Sequence, residues 1–489
     1  MRFLRAITNR PWKIVAVAVT AVIVGYLSLL TAHFVPALSH AKTYMHAIEN
    51  GGSDVLITSA QTNLTNDVNK IFNDLNAPVV KQIISALGFN FQPIKNELLA
   101  LVKTGPILAG ANSPKRYLIA FQNSAEARGT GGILGAFAIV EFDQGKMKVL
   151  KTGSNAGLKS LEEIPITMPE EYKKLYRSDP AIWQNSNLSP HFPYGARIWM
   201  QLWYLQTGER LDGVIAIDPT ALSHLLKSTG PITLKSGEEI TAENVVYKTL
   251  AEAYQRYEKD NFARKQYLVD IMNATFTRFM AMDFSKVEFA KQIVPVILEN
   301  RLLIYTTDNA QEEQLSTTRL GGAMNLGPNN QYRAVILNID ASKLDYYLDR
   351  KISIKTIECG QAPKSEVSIT VTNTVQHPER LSPYVLTRAD KTKPADRATG
   401  QHRFKLFIYG PNGSTLISAQ RSSVSGSAGG VSTERTRPIL VSDIDLKPQE
   451  SETITAAFAG GTGSLDFVDQ PLVQPSVISM KDTCKVGKP

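Results

Sequence analysis

Two arginines far apart in the chain, Arg128 and Arg264, are the residues best suited to hold an anion. The first lies in Asn123-Ser124-Ala125-Glu126-Ala127-Arg128-Gly129-Thr130-Gly131-Gly132-Ile133-Leu134-Gly135. A glycine-rich turn after a buried strand presents backbone N–H groups to an anion, here those of Gly131 and Gly132, and an arginine adds a bidentate fork. Asn123 and Glu126 stand in the same loop. The glycine spacing is not that of a dinucleotide fingerprint, because a strand rather than a helix follows. A hairpin turn, with glycines at positive φ and Glu126 paired to Arg128, remains an equal reading. Arg264 and Gln266 open a helix whose apolar stripe is Leu268, Ile271, Met272, Thr275 and Phe279. Arg264 falls on that stripe, and an inward guanidinium needs either a carboxylate or a ligand phosphate. Arg256 lies near the same end. Asn185 and Asn187, in the loop before Pro190, are candidate pocket residues, whereas Asp218 reads as a helix cap.

Other chemistries lack their residues. The seven histidines are scattered. There is no His-Glu-x-x-His, no zinc-spaced cysteine pair, no calcium loop, no Gly-x-Ser-x-Gly elbow and no Walker loop.

The elements that must position these residues are legible. Residues 36–104 read as a helical stalk, with Leu64, Val68, Ile71 and Leu75 on one face, a stop or kink at Pro78 and a new helix over 79–87. From 105 to 345 strands and helices mix. Tyr117–Phe121, Ile133–Phe142 and Lys146–Lys151 form strands, with a loop-rich stretch over 156–193 and then a helix from Tyr194 to Thr207. The strand Gly213–Ile217 follows, then a helix capped by Asp218 and stopped at Gly230. Two further helices cover 241–280, and strands return at 302–305 and 332–339. The predicted fold class is therefore α/β, a layered sheet flanked by helices. From 346 to 489 helices stop, and short strands between Gly, Pro, Ser and Asn predict an all-β sandwich. Cys359 and Cys484, the only cysteines, bracket that segment and are expected to pair, with two buried thiols as the alternative.

Ile14 to Val35 is an apolar run behind Arg2, Arg5, Arg10 and Lys13. It is long enough for a bilayer of about 30 Å, and the basic cluster keeps 1–13 in the cytoplasm. The expectation is a single-pass cell-membrane protein, anchored in the lipid bilayer through 14–35, with its bulk extracytoplasmic; a cleaved signal peptide is the other reading. With 43% hydrophobic and 20% charged residues the remainder is globular. The stub carries four of the net +8 charges and no long basic block follows. Nucleic acid is a poor partner on that balance, and anionic lipid or phosphate fits better.

The run Tyr117 to Gly132, the run Leu211-Asp212-Gly213-Val214-Ile215-Ala216-Ile217-Asp218-Pro219 with Gly230-Pro231, and Lys343-Leu344-Asp345-Tyr346-Tyr347 resemble the bacterial domain-of-unknown-function family 4012 over about residues 40–410. More distantly, the order of elements is similar to the LytR-CpsA-Psr domain of membrane-anchored enzymes. Those enzymes transfer glycopolymers from polyprenyl-pyrophosphate carriers onto peptidoglycan in cell walls. That likeness implies pyrophosphate contact by Arg128, an Arg264–Gln266 helix start, and Mg²⁺ as a cofactor. The family's acid just after its first arginine is replaced here by Gly129-Thr130-Gly131, and its Pro-Arg-Asp by Gly153-Ser154-Asn155. Glu126 is then the nearest substitute as metal ligand or base. The resemblance implies a role in cell-envelope glycopolymer assembly, by transfer or by binding. A non-catalytic surface scaffold that uses its β-sandwich for a partner or wall polymer is the competing class.

Overall fold

The computed structural model describes residues 33, 36–37, 39–78, 81–82, 92–281, 285–324, 329–386, 398–423 and 428–484. The stub 1–13, the apolar run 14–35 (His33 excepted) and most of the helix expected over 79–87 lie outside them. Among the described residues no helix is long and apolar enough to cross a membrane.

The chain divides into two compact units, residues 1–115 with 142–147, and residues 116–141 with 148–489. In the first, helices α1 (Asp54–Leu75) and α2 (Gln92–Leu108) pack together. Ser53 caps α1, which buries Ile57, Ala60, Val68 and Phe72 and ends at Asn76, ahead of Pro78. Tyr44 donates to the Val102 carbonyl at 2.6 Å, and His40 meets the buried Asp67 at 2.6 Å.

The second unit is a mixed α/β fold with a β-rich C-terminal region. Its first sheet has the order β3-β2-β1-β4-β5, from β1 (Lys115–Arg128), β2 (Gly131–Asp143), β3 (Lys146–Ser154), β4 (Gly213–Ile217) and β5 (Leu302–Thr306). Tyr117–Phe121 pair in parallel with Gly213–Ile217. Helix α3 (Phe192–Thr207) ends at Gly208 with φ +74°, a left-handed stop that a Cβ would disfavour. Asp218 caps α4 (Pro219–Thr229) by accepting from the Ala221 amide at 2.8 Å. Helix α5 (Asn261–Ala281) brings Arg264 to the site.

Of the two readings of the glycine-rich segment, the structure has the hairpin with Glu126 paired to Arg128, though tighter than a wide loop. β1 runs through Arg128 and β2 starts at Gly131, so only Gly129 and Thr130 turn. Close backbone approach explains the glycines: a Cβ on Gly132 would lie 2.1 Å from the Asn123 carbonyl oxygen, and one on Gly129 would lie 2.2 Å from that of Leu188.

Two further five-stranded sheets follow. One orders β10 (Thr415–Arg421), β13 (Ser451–Ala459), β8 (Lys364–Asn373), β7 (Leu348–Glu358) and β15 (Val477–Lys481). The other orders β11 (Gly430–Glu434), β12 (Arg437–Leu446), β9 (His402–Tyr409), β6 (Gln331–Asn338) and β14 (Asp466–Val468). Strand β6 precedes the expected boundary at 345/346 yet pairs with β9. On β9, Phe404, Leu406 and Ile408 join the core between the two sheets, whereas Phe407 and Tyr409 join the core with Trp183, Trp199 and Trp203. A strand covered on both faces buries both alternating sets of side chains, one in each core, and so ties the β-rich region to the α/β layers. Cys359 and Cys484 are bonded, with a Cα separation of 5.6 Å.

Within that shared wall, Glu434 is fully buried and accepts from Ser189 (2.6 Å), Tyr409 (2.7 Å) and Tyr176 (3.0 Å). Burial pushes its carboxyl above the usual range. An acid raised by folding stabilises below its unfolded pKa and loses that contribution as pH rises through its folded value. Denaturant unfolding at a series of pH values should therefore find Glu434→Gln gaining on the wild type as pH rises from about 4 towards neutrality. A constant difference would contradict the burial argument.

Candidate phosphate-binding cavity

Strands β1, β2 and β6 and the first turn of α5 line a half-open cavity of about 650 Å³, with both Arg128 and Arg264 in its wall. The two guanidinium groups converge on one space, but their environments differ.

Arg264 is 4% exposed and its guanidinium lies over the rings of Tyr384 (4.0 Å) and Tyr254 (4.5 Å). One terminal nitrogen donates to Asn261, while Nε is buried without a partner. Lys265 follows, half-buried, with neither hydrogen bond nor ion pair among the described residues. Burial holds its ammonium below the usual lysine range, and the charges of Arg264 and Lys343 act in the same sense against Tyr384. Both cations occupy the first turn of α5, which Asp260 caps by accepting from the Ala263 amide at 2.9 Å. The helix dipole disfavours positive charge at that end. Two cations there, one of them desolvated, suit an anion that arrives from outside.

Arg128 is 5% exposed and already satisfied. It donates to Asn185 Oδ1 from Nε (3.0 Å) and Nη2 (2.9 Å), to the Ala127 carbonyl (2.8 Å) and to Glu126 (2.9 Å). The other oxygen of Glu126 accepts from Lys343, itself 3% exposed. Burial pushes Glu126 upward, but Lys343 and Arg128 outweigh it and hold the carboxyl below its usual range. Lys343 also lies 5.4 Å from the Tyr384 ring. The Tyr384 hydroxyl, raised by burial, is pulled below the usual tyrosine range by Lys343 and Arg264.

Among the other expected residues, Asn123 and Asn185 line the cavity. Asn123 donates to the Tyr254 hydroxyl at 2.6 Å. Asn187 does not reach it: fully buried, it donates to Gln122, Thr130 and the Gly132 carbonyl as a brace for the hairpin. Gly131 and Gly132 are also absent from the lining, because strand pairing begins at Gly131. Arg256 is clamped to Glu238 (2.7 and 3.1 Å) and to Glu252, away from the cavity. That pairing holds Glu238 down at about 2. Gln266 donates to Asp270 at 2.9 Å and lines an adjoining cleft instead.

Lys343, Tyr254, Tyr384 and Lys265 went unassigned on sequence. Lys343 opens the Lys343–Tyr347 motif, but nothing local announces Tyr384. Magnesium does not fit Glu126, since each carboxylate oxygen already faces a cation. Asp345, the next acid, accepts from the Ala127 amide (2.9 Å) and from Asn338 (2.6 Å). Among the described residues no three His, Cys, Asp or Glu side chains gather to hold a metal ion.

Residues 112–254 match the family model described as "Protein of unknown function (DUF4012)". No curated protein matches the chain. The crystal structure of the transcriptional regulator yvhJ from Bacillus subtilis shares 12% identity, over 45% of this chain and 84% of that one, at a TM-score of 0.22. A candidate nutrient binding protein (lpg2210) from Legionella pneumophila shares 10%, over 28% and 44%, at 0.14. At such TM-scores neither bears on fold or function. The stretch similar to that family model thus takes in the Arg128 hairpin and the Asp218 cap.

Proposed function

We propose that this protein binds the phosphate end of a polyprenyl-pyrophosphate-linked glycan in the cavity around Arg264, as a membrane-anchored, extracytoplasmic component of cell-envelope glycopolymer assembly. The observation that carries the reading is the Nε of the buried Arg264, without a partner among the described residues, beside a Lys265 that forms no hydrogen bond or ion pair among them. Desolvated donors of this kind are costly unless something accepts from them. Anchoring through Ile14–Val35 and a LytR-CpsA-Psr-like α/β/α arrangement belong to the same proposal, with peptidoglycan as the eventual acceptor. Binding rather than transfer is the form the residues favour, because Glu126 is spent on Arg128 and Lys343 and is not free to act as a base.

Arg264→Ala and Lys265→Ala should each weaken binding of farnesyl pyrophosphate to the full-length chain by about 10- to 100-fold, the weight of a charge-assisted hydrogen bond. Calorimetry reads the affinity and thermal melting checks the fold. Lys265→Ala orphans no partner, so its melting should stay unchanged. The scaffold reading is favoured by the saturation of Arg128 and expects no pyrophosphate binding by the wild type.

A further inference from the structure

A second cleft of about 560 Å³ adjoins the cationic cavity, and Asn261 and Lys265 line both. Its floor is apolar, formed by Phe137, Trp203, Leu158 and Val269. Its rim is polar, with Lys151, Gln206 and Gln266. Lys151 stands over the Trp203 ring at 5.2 Å and forms no ion pair among the described residues. Gln206 is fixed by its own hydrogen bonds, donating to the Gly157 carbonyl (3.0 Å) and accepting from the Lys159 amide (2.9 Å). Phe262, in the first turn of α5, lines this cleft with 81% of its surface exposed.

A single exposed aromatic is unremarkable on most surfaces. Here the ring lines the second cleft, in the same helical turn as the two cations and flanked in sequence by Asn261, which lines both spaces. Pyranose rings present C–H faces that pack on aromatic rings and hydroxyls that bond to amides and ammonium groups. An apolar floor with a few fixed polar groups is the composition such a ligand requires. We infer that this second cleft receives the saccharide directly attached to the phosphate, with Phe262 as its stacking face and Lys265 at the junction. The inference rests on the phosphate-binding reading above and adds to it where the sugar lies. An isoprenoid laid in this cleft would cover the Lys151 ammonium and offer it nothing to bond with, whereas a sugar hydroxyl would accept from it, which is why the saccharide is assigned here.

The test uses the full-length chain and three probes, inorganic phosphate, N-acetylglucosamine 1-phosphate and farnesyl phosphate, titrated by calorimetry. The wild type should bind the sugar phosphate about tenfold more tightly than phosphate, and Phe262→Ala should reduce that ratio to near one. Exposure of Phe262 means that the substitution leaves the fold untouched, and thermal melting verifies this. Equal affinity for phosphate and the sugar phosphate, or an unchanged ratio in Phe262→Ala, overturns the inference while leaving the phosphate reading standing. A farnesyl advantage that Phe262→Ala removes also overturns it, by assigning the cleft to lipid. Failure of the wild type to bind any of the three sinks both readings together.

Discussion

Glu126→Gln should cost the fold about 3–5 kcal/mol, the largest loss expected from any single substitution near the cavity. The carboxylate lies between Arg128 and Lys343, all three no more than 5% exposed. Removing it leaves two desolvated cations without a counter-charge, and that penalty exceeds the worth of either ion pair. Thermal and denaturant unfolding measure the loss. Glu126→Gln combined with Lys343→Met should recover a large part of it, because the pair then leaves together. The pH dependence has a definite sign. Glu126 and Asp345 are both held below the usual carboxylate range, against burial, by Lys343 and Arg128 in one case and by His402 in the other. Their stabilisation is present above the unfolded values and is lost as pH falls through the folded ones. Glu126→Gln should therefore show a shallower acid limb than the wild type. A variant that melts like the wild type but loses a ligand-dependent activity would show instead that Glu126 is a free base or metal ligand.

The same geometry separates what was legible in the sequence from what was not. The β4–Asp218–α4 segment could be read because each of its signals is local: an apolar run, a capping aspartate, a proline in the first turn and a glycine stop. Arg264 could be read because its position on an inward stripe is a matter of helical period, and it is buried as that period requires. The glycine loop could be read only by half. Its residues suit both an anion cradle and a hairpin, and long-range packing decides, through Leu188 and Asn187 pressing on Gly129 and Gly132. Partner choice was not legible at all. Arg128 and Arg256 have identical side chains, yet one is braced by Glu126 and Asn185 and the other by Glu238 and Glu252. Lys343 meets Glu126 across 217 positions, a pairing that only the fold creates. The expected separation of α/β and sandwich regions misled for a related reason. Strands with apolar residues on both faces, such as β6 and β9, belong to two cores, and sequence shows only that they are apolar.

The second large effect is expected at the bridge between Cys359 and Cys484. Replacing both by serine should destabilise the β-rich region by about 5 kcal/mol on a chain-entropy account of a loop this long. The closed loop spans 125 positions and contains β8 to β15. Strand β15 depends on it most. It pairs in parallel with β7 at the edge of its sheet, and Val477, Ile478 and Met480 remain 65%, 41% and 50% exposed. Little apolar burial holds this strand, so its pairing relies on the tether that fixes its far end. Inward of it the chain is anchored differently: Asp469 accepts from Arg350 at 2.9 Å, and Gln470 donates to the Arg128 carbonyl at 2.6 Å. Hydrogen exchange on the serine variant should therefore rise first over 477–484 and later over 466–474. Loss of the second set would then unsettle Arg128 and reach the cavity, so phosphate affinity should fall only once the 466–474 amides exchange. Melting that is indifferent to reductant, or uniform exchange over both stretches, would refute this order.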